Sequence, residues 1–248
     1  MAQPPRPHWH LSFDCATKTF AFSLSRVDLD DIGARLADFR RRAAALTEIC
    51  RRGGAGAVDI ATLRAAAAAA DALCAEVRGL VVIADGEMVD LAPGRSDNDV
   101  PGVERIRAVV AYVKARVRPA LSAIVPSGER LRIAVEFQLG FNSKSRVVAA
   151  ALVTLFAEED VIIVGPTLKN QIATCEEGRY WRFAEKYSKS YDANKAHSKF
   201  NFSKFEAVFG SSIPPCPPAM RGHIADSFMQ VIGYLVHGPD EETVADYF

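Results

Sequence analysis

Two short runs near the start of the chain combine apolar residues with the two-residue period of a β-strand. In residues 10–15 this period defines an apolar face, with Leu11, Phe13 and Cys15, and a polar face, with His10, Ser12 and Asp14. Residues 19–26 form a second run, rich in apolar and β-branched side chains, and only three residues separate the two. The pattern predicts a β-hairpin.

The next segment has the composition of helices. Residues 29–50 and 58–78 are rich in strong helix formers, and the glycine-rich stretch RRGGAGA lies between them. We therefore expect a helical hairpin. Its alanine run supplies helix propensity and close packing and carries no chemistry.

The second half alternates strand-like and helix-like segments. Residues 79–94 have strand character, with a turn at Asp85-Gly86 or near Pro93. The remaining segments are a helix at 103–124, a strand at 131–138, a helix at 143–160, a strand at 161–166 and a helix at 223–238. Successive strands joined by helices require parallel pairing, whereas the opening hairpin is antiparallel. The expected fold class is α/β, with a mixed sheet flanked by helices.

Composition narrows the class of protein. A chain of 248 residues that is 49% hydrophobic can bury the core of one large domain, so we treat residues 1–248 as one domain with an insertion. No apolar stretch approaches the roughly 20 residues that span a bilayer, and the start of the chain is polar and proline-rich. We expect a soluble, intracellular protein with no membrane partner.

Charge and cysteine content exclude two further classes. Thirty basic and thirty acidic residues cancel, which argues against a wholly basic nucleic-acid coat. The five cysteines lack Cys-x-x-Cys spacing, which argues against both a zinc site and a disulfide framework. The cysteines are therefore expected to be core or incidental thiols.

Carboxylates occur where buried strands end. Asp14 lies near the end of the first strand, and Glu136 ends the strand RIAVEFQ. On the last helix, His223 and Asp226 are i, i+3 neighbours on a polar arc that also carries Ser227 and Gln230. Buried carboxylates are costly, and divalent cations with hard oxygen ligands, such as Mg²⁺ or Mn²⁺, offset several at once. Singly, each of these residues is more typical of a salt bridge, a cap or a surface position, but together they suggest a metal site.

The order of these motifs resembles a known family. The segments FDCATK, VEFQ and HIAD resemble the RuvC-like resolvases of the RNase H-like superfamily, and within them the poxvirus-type Holliday junction resolvases of large DNA viruses. The resemblance covers residues 10–28 and 131–237. It implies an RNase H-like fold in which residues 29–78 are a helical insertion.

The resemblance also implies a site and an activity. Two Mg²⁺ or Mn²⁺ ions would be held by Asp14, Glu136, His223 and Asp226. Many members have Asp where this chain has His223, which leaves the metal preference open. The implied activity is paired hydrolysis of four-way DNA junctions, which leaves 5′-phosphate ends and requires a two-fold homodimer. If the source is a virus, the place of action would be the site of viral DNA replication.

A basic and aromatic segment, residues 178–210, precedes the last helix. Its cations can neutralise phosphates, and its aromatic side chains can stack on unpaired bases or support packing. ANKAH, residues 193–197, resembles the family stretch whose lysine approaches the reacting phosphate, which makes Lys195 the candidate for stabilising the transition state and Lys199 the alternative. The expected DNA contacts are Lys18, Lys169, Arg179, Arg182, Lys186, Lys189, Lys199 and Lys204.

The sequence is also compatible with two other functions. FDCATKTFAFSL also resembles the first phosphate loop of actin-like ATPases and sugar kinases, although the chain has no convincing second glycine-rich phosphate loop. A second alternative is a branched-DNA-binding protein without catalysis. Such a protein would bind junctions equally well with and without Mg²⁺.

Overall fold

The structure of the chain is a computed structural model. It describes residues 9–16, 18–27, 81–137, 143–166, 168–170 and 218–237, together with residues 41, 42, 45, 68, 72 and 76. Side chains at 170, 218–221, 236 and 237 are not among the described features. Every structural statement below refers to these residues.

A five-stranded sheet forms the centre of the fold. Its strands are β1 (Trp9–Cys15), β2 (Thr19–Val27), β3 (Val81–Asp90), β4 (Leu131–Glu136) and β5 (Asp160–Val164). The order across the sheet is β3-β2-β1-β4-β5, with antiparallel pairs on one side of β1 and parallel pairs on the other. The predicted fold class, an α/β mixed sheet with an antiparallel start and a parallel continuation flanked by helices, is confirmed.

The opening β-hairpin forms as predicted, with the residues of β1 alternating between the two faces of the sheet. β1 and β2 pair from Trp9 opposite Arg26 to Cys15 opposite Phe20. Because β1 is the central strand, both of its faces are covered, and all seven of its residues are buried. Alternation along β1 therefore separates two buried layers rather than a core from solvent.

Of the two predicted positions for the turn after residue 79, the one near Pro93 is confirmed. β3 runs without interruption through Asp85-Gly86, and the turn lies at Pro93 and Gly94. The Asp-Gly pair has another reason in this sheet: a Cβ atom at Gly86 would lie 3.1 Å from the Phe22 carbonyl oxygen, so the glycine permits close approach of β2. The tertiary contact overrides the local turn signal.

Among the described residues, four α-helices and one π-helical stretch cover the sheet. The predicted helix at 103–124 is α1 (Gly102–Tyr112), a π-helical stretch (Val113–Val117) and α2 (Arg118–Ile124) in direct succession. The others are α3 (Ser143–Leu155) and α4 (Pro218–His237). α4 begins five residues before His223, so the histidine lies within the helix and not at its start as expected.

The apolar layer lies on one face of the sheet. Phe13 of β1 stacks on Phe20 with 5.3 Å between ring centroids and contacts Phe156 at 5.7 Å. Side chains from α1, the π-helical stretch, α2 and α3 complete it, among them Val109, Val113, Leu121, Val148 and Leu152. Burial of this continuous layer provides most of the driving force for folding.

α4 covers the opposite face of the sheet, the one with the polar residues of β1. Both the apolar stripe and the polar arc of α4 are buried, from Ile224 to Leu235. A helix buried on all sides must pair its polar side chains with other groups. The polar arc of α4 therefore faces the polar face of β1.

The helical insertion falls mostly outside the described residues. Positions 41, 42, 45, 68, 72 and 76 are helical, and the Arg42 guanidinium contacts the Glu76 carboxylate with Nη1 3.0 Å from Oε1. The insertion lies in the chain between β2 and β3, and its boundaries stay a prediction. Cys15 is a buried free thiol, and the other four cysteines lie outside the described residues.

None of the helices within the described ranges combines the length and the apolar character needed to cross a bilayer.

Candidate active site

Two neighbouring strand ends and one helix bring the acidic residues together. β1 and β4 are parallel and adjacent, in register from Trp9 opposite Leu131 to Phe13 opposite Val135. Asp14 and Glu136 each follow this paired stretch by one residue, so they meet at the carboxyl edge of the sheet. Asp226 lies on α4, which packs across that edge.

Asp14 is held by a histidine from α4. His223 Nδ1 lies 2.7 Å from Asp14 Oδ2, and His223 Nε2 lies 3.1 Å from the hydroxyl oxygen of Thr19, the first residue of β2. Asp14 is buried, and the imidazole is partly buried. The ring is thus fixed at both nitrogens between a carboxylate and a hydroxyl group.

Glu136 and Asp226 share one cation. The Lys169 ammonium lies 3.1 Å from Glu136 Oε2 and 3.1 Å from Asp226 Oδ2. Lys169 belongs to a short 3₁₀ helix, Leu168–Asn170, that follows β5. Its side chain is only 12% exposed, so the ammonium sits inside the acidic cluster and not on an open surface.

A hydrogen-bonded chain connects Glu136 to the centre of the sheet. The Ser12 hydroxyl donates to Gln230 Oε1 at 2.8 Å, and Gln230 Nε2 donates to Glu136 Oε2. All three side chains are fully buried. This chain fixes the direction in which the Glu136 carboxylate points.

Burial and the closeness of several charged groups shift the pKa values of the residues in the cluster. Burial and the nearby Asp14 charge raise the pKa of Glu136 from 4.5 to about 7, although Lys169 acts in the opposite direction. Burial lowers the pKa of Lys169, but Glu136, Asp226 and Asp14 together outweigh this effect and raise it well above its usual value. Burial, Glu136 and Asp14 likewise raise the pKa of the Cys15 thiol, which keeps it protonated.

The structure brings together several of the residues expected from the sequence. Asp14 contacts His223, and Glu136 and Asp226 converge on Lys169. Lys18 lies in the turn after β1, and its amine is 3.4 Å from the Asp90 carboxylate. The other predicted DNA contacts and the predicted catalytic lysine lie outside the described residues: Arg179, Arg182, Lys186, Lys189, Lys195, Lys199 and Lys204.

The sequence did not predict a functional role for three side chains of the site: Ser12, Thr19 and Gln230. Ser12 and Gln230 were assigned to the correct faces without a role. The available signal was spacing: Ser12 is two residues from Asp14 on one strand, and Gln230 is four residues from Asp226 on one helix. No local pattern indicates that Thr19 meets His223, because 204 residues separate them.

The side chains of the acidic cluster are of the chemical types that bind divalent cations. Asp14, Glu136 and Asp226 provide hard oxygen ligands, His223 provides nitrogen, and the Lys169 position shows that two of the carboxylates already converge on one positive charge. Within the described residues, no three His, Cys, Asp or Glu side chains are arranged as a ready metal-binding group. The carboxylates are paired with Lys169 and His223 instead.

Comparison with solved structures returns the RuvC protein of Thermus thermophilus. One structure aligns at 15% identity over 92% of this chain and 94% of that chain, with a TM-score of 0.44. A second, RuvC in complex with Holliday junction substrate, aligns at 14% identity over 93% of this chain and 96% of that chain, with a TM-score of 0.45. No family model matches the sequence, and no curated protein matches it significantly. The predicted assignment to the poxvirus-type branch stays a prediction.

A glycine on α4 permits close approach of Leu168, the residue before Lys169. A Cβ atom at Gly233 would lie 2.7 Å from the Leu168 carbonyl oxygen and 2.9 Å from Leu168 Cγ. We expect Gly233→Ala to lower the free energy of unfolding by about 2 kcal/mol, because the 3₁₀ helix must move away from α4. Chemical denaturation measures this change.

A matched control is available in Gly102. A Cβ atom there would meet only Val147 Cγ1, at 3.8 Å, which is an ordinary contact. We expect Gly102→Ala to leave stability within about 0.5 kcal/mol of the wild type. Equal effects of the two substitutions would contradict the close approach at Gly233.

Proposed function

We propose that the chain is a metal-dependent endonuclease that resolves four-way DNA junctions by paired phosphodiester hydrolysis. The observation that carries the proposal is that buried acidic residues from two adjacent strand ends and one helix lie in two contacting sets, Asp14 with His223 and Glu136 with Asp226 through Lys169. Structural carboxylates are usually satisfied near the surface, whereas these three are buried together. Their order in the chain also fits the motifs by which the sequence resembles RuvC-like resolvases.

Asp14, Glu136, His223 and Asp226 are the residues that would hold two Mg²⁺ or Mn²⁺ ions. When bound, such ions activate a water molecule and stabilise the leaving oxygen of a phosphodiester. The remaining roles belong to the protein. Gln230 orients the Glu136 carboxylate through its side-chain amide.

Thr19 and Asp14 orient His223. A neutral ring that carries its proton on Nδ1 donates to Asp14 and accepts from the Thr19 hydroxyl at Nε2. In this tautomer Nε2 is the unprotonated nitrogen, which can bind a metal ion in place of the Thr19 hydroxyl group. The carboxylate–histidine pair is the arrangement that usually supports a metal-ligating histidine.

The partner in this proposal is branched DNA. A four-way junction has two equivalent strands to cut, so a homodimer with two-fold symmetry fits it. In this proposal the basic and aromatic residues of the segment 178–210 contact phosphates and stack on unpaired bases.

A gel assay with a synthetic four-way junction tests the proposal. We expect paired, symmetric cuts with Mg²⁺ or Mn²⁺, no cuts with EDTA, and no cutting of a linear duplex of the same sequence. Equal binding of the junction with and without Mg²⁺, and no cleavage with either metal, would favour the non-catalytic binding protein. ATP hydrolysis without DNA cleavage would favour the actin-like or sugar-kinase alternative.

The basic segment yields a separate prediction. Lys195→Ala is expected to lower the single-turnover cleavage rate at saturating protein by at least about tenfold, since that corresponds to a loss of roughly 1.4 kcal/mol of transition-state stabilisation. Lys186→Ala with Lys189→Ala is expected to weaken junction binding and flatten its salt dependence, with little change in the saturated rate. A rate defect in Lys199→Ala alone would move the catalytic role to that lysine.

A further inference from the structure

Lys169 occupies the point on which two of the candidate ligands converge. Its ammonium is 3.1 Å from an oxygen of Glu136 and 3.1 Å from an oxygen of Asp226. The three side chains come from three different elements, β4, α4 and the 3₁₀ helix after β5. Both carboxylates are buried, and the ammonium is nearly so.

An ammonium group and a metal ion cannot share this position. Magnesium and manganese bind carboxylate oxygens at roughly 2.0–2.2 Å, inside the space that the ammonium fills. A divalent ion that bridges Glu136 and Asp226 must therefore displace Lys169. The displaced charge needs a new anionic partner, because an unpaired ammonium beside a divalent ion is strongly unfavourable.

We propose that Lys169 is a displaceable counter-ion that keeps the free protein from binding metal tightly, and that a DNA phosphate receives its ammonium as metal enters. This inference rests on the proposed function, because it assumes that Glu136 and Asp226 bind divalent cations. Lys169 follows β5, whose parallel pairing with β4 places it at the same sheet edge as the carboxylates. Metal binding and DNA binding then favour each other, because each stabilises the arrangement with Lys169 away from the carboxylates.

Manganese binding to the DNA-free protein tests the inference directly. Isothermal titration calorimetry with Mn²⁺ is expected to show at least tenfold tighter binding to Lys169→Met than to the wild type. Lys144→Met is the matched control, because Lys144 pairs with Asp97, 3.4 Å away, outside the acidic cluster. Unchanged or weaker Mn²⁺ binding by Lys169→Met would overturn the inference.

A second measurement uses the wild-type protein and does not depend on the folding of a variant. Lysine acetylation with acetic anhydride, read by mass spectrometry, is expected to modify Lys169 slowly without metal and at least about threefold faster with Mn²⁺. Lys144 serves as the internal reference, with no metal effect. Acetylation of Lys169 that stays constant or falls on addition of Mn²⁺ would overturn displacement.

Failure of the counter-ion role and failure of the proposed metal site give different experimental results. If the wild type cleaves junctions but Lys169→Met gains no metal affinity, only the counter-ion role is overturned. If neither protein binds millimolar Mn²⁺ and no cleavage occurs, the metal site of the proposed function is overturned, and the counter-ion role falls with it.

Discussion

Glu136→Gln is expected to abolish cleavage of a four-way junction while leaving junction binding largely intact. The substitution keeps the shape of the side chain and removes the charge that a divalent cation requires. Loss of several kcal/mol of electrostatic stabilisation lowers the rate by roughly a thousandfold or more. Single-turnover cleavage with Mg²⁺ measures the loss, and a mobility-shift assay in EDTA measures binding.

The same result is expected for Asp14→Asn and Asp226→Asn. Glu104→Gln is the control, because Glu104 is an exposed carboxylate paired with Arg95 far along the chain from the site. It should cleave like the wild type. Near wild-type cleavage by all three site variants would remove the assigned site, whereas loss of binding together with cleavage would point to a folding defect.

His10→Phe is expected to change the pH dependence of stability rather than the activity. Burial and the nearby Arg132 lower the pKa of His10 from 6.5 to about 3. Between these values the unfolded chain binds a proton that the folded chain does not, so wild-type stability falls as the pH drops below 6.5. The loss from this group reaches about 3 kcal/mol at pH 4.5.

The phenylalanine variant lacks this loss. Its ring can replace the imidazole beside Tyr234, whose ring centroid lies 5.9 Å away. Glu136 acts in the opposite direction, since its pKa is raised to about 7 and acid therefore favours the folded state. That contribution is common to both proteins and cancels in their difference.

Urea denaturation of both proteins between pH 7 and pH 4.5 provides the measurement. The free-energy difference between them should shift in favour of His10→Phe by about 3 kcal/mol across this range. If the free energies of unfolding of the two proteins change in parallel with pH, His10 is protonated in the folded state or is accessible to water.

The sequence alone predicts which site residues share one face of a strand or helix, because this depends only on local backbone geometry. A strand of period two places Ser12 and Asp14 on one face whatever surrounds it, and a helix places His223 and Asp226 on one arc. The parallel pairing of β4 with β5 followed in the same way from the order of the elements, since α3 joins these two strands as a crossover. These inferences need no knowledge of distant contacts.

The contacts that define the site were decided only by the tertiary structure. The sequence suggested that Lys169 meets DNA, whereas packing of α4 against the 3₁₀ helix brings its ammonium between Glu136 and Asp226. The pairing of His223 with Thr19 likewise depends on how α4 crosses β2. Such contacts join residues that lie far apart in the sequence, and no local period records which of them meet.

The same physical reason explains why the turn lies at Pro93 and not at Asp85-Gly86, and why the polar arc of α4 is buried. Asp85-Gly86 has the local signature of a turn, but close approach of Phe22 and pairing of Asp85 with Arg116, at 2.8 Å, keep β3 extended. The polar arc of α4 is buried because the polar face of the sheet lies across from it and pairs with its side chains, as Ser12 does with Gln230. Local sequence determined which side chains share a face, and only long-range packing determined what that face meets.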